Sequence, residues 1–165
     1  MMDALLPEFD REMAITRRLL ERVPEEKFDW KPHVKSMSLG GLATHIANLV
    51  RWGAITLTRL EFDIASAPST PQAASRGDLL DMFDRNVATT HTTFEGKTDG
   101  ELMAIWALKD ERETMFTMPR VTVLRSFLMN HIIHHRAQLG VYLRLNNVPV
   151  PSIYGPSADE GQLGG

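Results

Sequence analysis

Apolar positions recur at helical spacing in four long stretches of this chain, and polar residues fill the positions between them. In the first, Leu6, Phe9, Met13, Thr16, Leu20 and Val23 mark one face, with Asp10, Arg17, Arg18 and Glu21 mostly outside it. That predicts a helix over about 3–23, ended by Pro24. Ser38 can cap a second helix, because its hydroxyl accepts a bond from an orphan amide of the first turn. Leu42, Ile46, Leu49, Gly53 and Leu57 give this helix an apolar face over about 38–61. A third, over about 77–95, turns Leu79, Phe83, Val87, Thr90 and Phe94 inward and closes at Gly96. The fourth follows Pro119, which the first turn of a helix tolerates, and runs over about 119–146.

The intervening segments read differently. Residues 24–37 form a loop with a buried Trp30, and Pro32 biases Trp30-Lys31 toward extended geometry. Residues 65–76, rich in Pro, Ser and Ala, are the long connection between the second and third helices. Thr98 to Glu101 reads as a turn; Leu102–Leu108 and Glu113–Met118, joined across Lys109 to Arg112, read as a short hairpin or extended chain. The proline-rich tail, 148–165, is irregular and lies along the surface, and Gly161 to Gly165 are expected to be disordered. The expectation is an all-α chain: one domain over 1–165, a four-helix bundle with an extended or hairpin segment before its last helix.

Composition narrows the function classes. With 165 residues the chain can bury a sizeable core without staples. A net charge of -3 gives no reason to expect nucleic acid or an anionic membrane as a partner. The absence of cysteine excludes disulfides, thiolate metal sites and cysteine nucleophiles in the chain, and fits a reducing cytosol. Asp3 and Glu8 interrupt the first residues, so they do not read as a signal peptide, and no apolar run approaches the ~20 residues of a membrane span. The expected location is cytoplasmic.

The fourth helix carries the chemistry. Leu124, Leu128, His131, His135, Gln138, Tyr142 and Leu145 step by four and three along one seam, so two histidines stand where leucine would be expected. Four residues apart, their rings lie on one face and can converge on one point. Burying two imidazoles costs free energy unless their nitrogens find partners, and a metal ion accounts for both. A third ligand from another helix has four candidates: His33, His45, His91 and His134. His33 sits in a loop and His91 among threonines, whereas His45 lies between Leu42 and Leu49 at helical spacing and is preferred. His134 is a candidate second-layer group, and the pair His131–His134 is the weaker alternative chelate. Against these stands the plain reading, since a lone interior histidine is more often hydrogen-bonded core than ligand. The residues between His131 and His135 include no acid, so the zincin mechanism of peptide hydrolysis has no support.

Three segments resemble the DinB/YfiT-like superfamily. Trp30-Lys31-Pro32, then Ser38, Leu42 and His45, match its W-x-P…S…L…H pattern, and His131-Ile132-Ile133-His134-His135-Arg136-Ala137-Gln138 matches its H-x-x-H-H-R-G-Q signature. The ending from Val148 to Glu160 is also similar to that of close relatives. Ala137 replaces the commoner glycine of the signature, a change that favours a helix by about 1 kcal/mol. The resemblance implies a four-helix bundle, often a homodimer, with a divalent ion, zinc or nickel, on His45, His131 and His135. Its best understood relatives are thiol-dependent enzymes. The expected activity is therefore thiol S-transfer with a low-molecular-weight thiol as cosubstrate and a small-molecule electrophile. A metal-dependent hydrolase and a non-catalytic metal-binding or stress-related interaction protein are the alternatives. Arg51 and Arg136 are candidate anion contacts or ordinary surface residues, and Trp52 a candidate pocket or dimer-seam residue.

Overall fold

The computed structural model describes residues 1–161. Its helices are α1 (Met2–Leu20), α2 (Leu39–Leu49), α3 (Arg51–Thr58), α4 (Arg76–Phe94), α5 (Asp99–Met103), α6 (Arg120–Val123) and α7 (Asn130–Leu145). A π-helical segment, Leu124–Met129, joins α6 to α7 without a break. The described residues also form three strands, β1 (Glu61–Asp63), β2 (Ile105–Asp110) and β3 (Glu113–Pro119), and two 3-10 turns, Glu25–Lys27 and Ile64–Ser66.

The long helices form for the reasons their patterns suggest. Ser38 accepts a bond from the Gly41 amide at the start of α2, and Ser75 caps α4 through Asp78. The apolar faces of α1, α2, α4 and α7 meet in one cluster that includes Phe9, Leu42, Ile46, Phe83, Phe94 and Leu139. Each such side chain, fully buried, contributes about 1.5–3 kcal/mol relative to exposure. The second predicted helix is two helices, broken at Val50, whose carbonyl accepts from the Thr90 hydroxyl of α4 at 2.9 Å. Gly53 lets α3 approach α4 closely, since a Cβ there would stand 2.3 Å from Thr90 Cγ2.

The expectation of an all-α four-helix bundle is corrected by a three-stranded mixed sheet of order β1-β2-β3. The β2–β3 hairpin falls where an extended or hairpin segment was expected. The surprise is β1, placed where the second helix was predicted to end and the long connection to begin. It pairs parallel with β2, Phe62 opposite Leu108, while β3 pairs antiparallel on the other side of β2. Three residues are too few for period-two alternation to register, and the partner of β1 lies far along the chain. Asp63 ties the sheet together: its Oδ1 accepts from the Glu111 amide of the hairpin turn at 3.0 Å. A second apolar cluster forms behind the strands from Phe62, Trp106, Leu108 and Val123. Thr98 to Glu101 is a capping box that starts α5 rather than a plain turn.

Trp30 is only half-buried, edge-on to Tyr142 at 5.5 Å. The tail is irregular through Gly161, as expected; the part of that reading that falls on 162–165 lies outside the described residues. Ion pairs hold it down, with Glu160 against Arg18 and Arg22, and Asp159 against Arg144.

Candidate metal centre

The buried face of α7 is not quite the predicted one. Leu124, Leu128, Ile132, His135, Arg136, Leu139 and Leu143 are buried, whereas His131 and Tyr142 lie at the margin and Gln138 and Leu145 are exposed. The wide turns of the π segment underwind the helix and shift its inward phase, a feature common near functional sites. His131 and His135 thereby sit at the rim of the core, within reach of both protein and solvent.

His45, projecting from α2, meets them there. Its ring centroid lies 5.5 Å from that of His131 and 4.7 Å from that of His135. One nitrogen from each of the three rings can be chosen so that all lie within 4.8 Å of one another. Of the other candidates, His33 is exposed in its loop, and His91 stands 3.5 Å from Asp10 on the outer face. His134 is exposed and lies behind the group.

Hydrogen bonds decide which nitrogens face inward. His135 Nδ1 donates to Gln138 Oε1 at 2.8 Å, and Gln138 Nε2 donates in turn to His134 Nε2 at 3.2 Å. His135 Nε2 is thereby left with its lone pair and faces His131 Nε2 at 2.9 Å. With its proton on Nδ1, His131 would present a second lone pair beside it, and His45 lies close enough to add a third nitrogen. The donor set fits a metal ion on that ground.

The rings are poised for it. Burial, then the positive charge that would develop on His135 and His131, pushes His45 down from 6.5 to about 4. Burial is also the main cause that lowers His131, with His135 and His134 adding to it and Phe127 opposing. Burial lowers His135, the Gln138 bond opposes, and His134 adds to the lowering. Neutral imidazole is the ligating form, so little proton release stands between this site and a divalent ion at neutral pH.

A cavity of about 290 Å³ opens against His45 and His131, walled by Trp52 of α3, Phe62 of β1, Ile64 and Phe127. Arg51 also lines it. Arg136 does not. It is 1% exposed, paired with Glu12 Oε2 at 2.7 Å, and donates to the Glu12 carbonyl, Thr16 Oγ1 and Tyr154 OH. Its expected role as an anion contact gives way to a structural one, binding α1, α7 and the tail together. A buried ion pair of this kind carries no local pattern that marks it in a sequence.

The DinB family model matches residues 1–163. The chain belongs to the DinB family. Similar DinB-like chains of known structure come from Bacillus subtilis and Bacillus cereus. The first has 22% identity and a TM-score of 0.68, covering 88% of this chain and 94% of that one. The second has 22% identity and a TM-score of 0.71, covering 92% and 97%. At that identity they show that the fold is shared. Among proteins compared by sequence, YrdA of Bacillus subtilis (strain 168) is 29% identical over 163 residues, which is 96% of this chain and 91% of YrdA. The family and the three-histidine group together support a DinB protein that could hold a metal ion. Among the described residues, no helix is long and apolar enough to cross a membrane.

Proposed function

We propose that this DinB protein is a metal-dependent enzyme of the thiol S-transferase type, with a divalent ion, zinc or nickel, on His45, His131 and His135. The observation that carries the reading is the meeting of three neutral imidazoles at the wall of an apolar cavity. A structural ion is usually enclosed by four protein ligands, whereas a catalytic one keeps a position for substrate. Among the described residues, the group offers three histidines and no carboxylate. When bound, the ion would lower the pKa of a thiol and favour its thiolate at neutral pH.

The chain's own residues do the rest. Gln138 fixes the tautomer and ring orientation of His135. Trp52, Phe62 and Phe127 shield the cavity from water and receive the apolar part of an electrophile. The thiol has to come from a cosubstrate, because the chain has no cysteine. The test is an assay of metal-loaded protein with a panel of cellular thiols and a chromogenic aryl halide. The expected result is a rate with at least one thiol that disappears on chelation and returns with the metal. No metal-dependent rate with any thiol contradicts the transferase reading.

A further inference from the structure

The cavity beside the histidines says something about charge as well as shape. Its walls are apolar apart from His45, His131, Asn48 and Arg51, and among the described residues no carboxylate lines it. Asn48 is already engaged, its Oδ1 accepting from Thr70 at 3.1 Å. Arg51 differs: its buried Nε has no hydrogen-bond partner among the described residues. The contrast with Arg136 is direct, because that buried guanidinium is matched by Glu12.

A guanidinium nitrogen taken out of water and left unpaired carries a desolvation cost that an anion in the cavity would offset. The planar fork of arginine suits a carboxylate in particular. The geometry points to a substrate that is a small anionic amphiphile: a carboxylate read by Arg51, on an aryl or alkyl body resting against the wall that Trp52 and Phe62 form by packing edge-on at 5.5 Å. The assignment rests on the metal-enzyme reading for its place in catalysis, but the charge preference belongs to the cavity itself. Arg51 is here a specificity-determining residue, and the ligand's reacting atom would lie toward His45 and His131.

Naphthalene-1-carboxylate and the isosteric neutral naphthalene-1-carboxamide separate charge from shape. Their binding to the full chain is measured by calorimetry, first in the presence of a chelator and then with zinc. In the metal-free protein the carboxylate is expected to bind about ten-fold more tightly than the amide, the factor one charge-assisted bond supplies. Arg51→Met should erase that preference, Arg51→Lys should keep part of it, and Phe62→Ala should weaken both probes alike. Equal binding of the two probes to wild type overturns the proposal. So does a preference that survives Arg51→Met without metal, or no binding of either probe. Failure of the metal reading shows separately, as a chain that takes up no zinc yet keeps its Arg51-dependent preference. Failure of the cavity proposal leaves zinc binding intact and the preference absent.

Discussion

At the scale of single residues, the site depends on which nitrogen of each ring is free. Gln138 holds the His135 Nδ1 proton, so Gln138→Leu is expected to release the ring and weaken metal binding about 10–100-fold while leaving the stoichiometry unchanged. A competition titration against a chromophoric chelator measures this; unchanged affinity would show that Gln138 plays no orienting part. His134 lies one bond further out and is exposed, so His134→Ala should have a much smaller effect in the same titration. Helical spacing in the sequence puts two histidines on one face of α7 and makes His45 of α2 the preferred one of four candidates for the third, and these are the three that meet. The orienting bond was not, since Gln138 reads as one more polar residue until its partners are in place. Arg51 and Arg136 look alike in the sequence, and only the buried Glu12 beside one of them tells the two apart.

Among the elements, α1, α7 and the tail are joined by the Arg136–Glu12–Tyr154 network, and its removal should be felt in stability rather than at the site. Arg136→Met leaves the Glu12 carboxylate buried without its partner and is expected to cost about 3–5 kcal/mol in urea unfolding. Adding Glu12→Gln to it should recover part of that loss; a double variant no better than the single one would mean that the charge pairing is not the cause. Element boundaries were the harder reading. The helix over 38–61 is interrupted for one residue at Val50, which keeps helical dihedrals while its carbonyl accepts from both the Gly53 amide and the Thr90 hydroxyl of α4, and no residue of the helix itself announces this. The π segment shifted the inward face of α7 away from Gln138 and Leu145, since a count of three and four assumes α-helical winding throughout. The strand β1 exists through a parallel pairing with residues more than forty positions away, which local pattern does not encode.

For the whole molecule, the sheet that corrects the all-α expectation also builds the site's surroundings: Phe62 of β1 belongs both to the cluster behind the strands and to the cavity wall. The depressed histidines couple site and fold through pH. His45 titrates at about 4 when folded and near 6.5 when unfolded, so between those values the unfolded chain binds a proton that the folded chain does not. Stability of the metal-free protein should therefore fall as pH drops from 6.5 toward 4, His131 and His135 acting in the same sense, and this contribution should be level above that window. Urea midpoints at pH 7.5 and 5 in the presence of chelator check it, with His45→Gln expected to reduce the difference. An identical fall in His45→Gln would place the effect on other groups.

Everything proposed for the site's chemistry requires that His45, His131 and His135 hold one divalent ion. Metal content by mass spectrometry, with X-ray absorption at the metal edge on the same chelator-free sample, tests it most directly. The expected result is close to one equivalent of zinc or nickel with three imidazole nitrogens, lost in both His131→Ala and His135→Ala. Metal below about a tenth of an equivalent in wild type, or full occupancy in either variant, would contradict it.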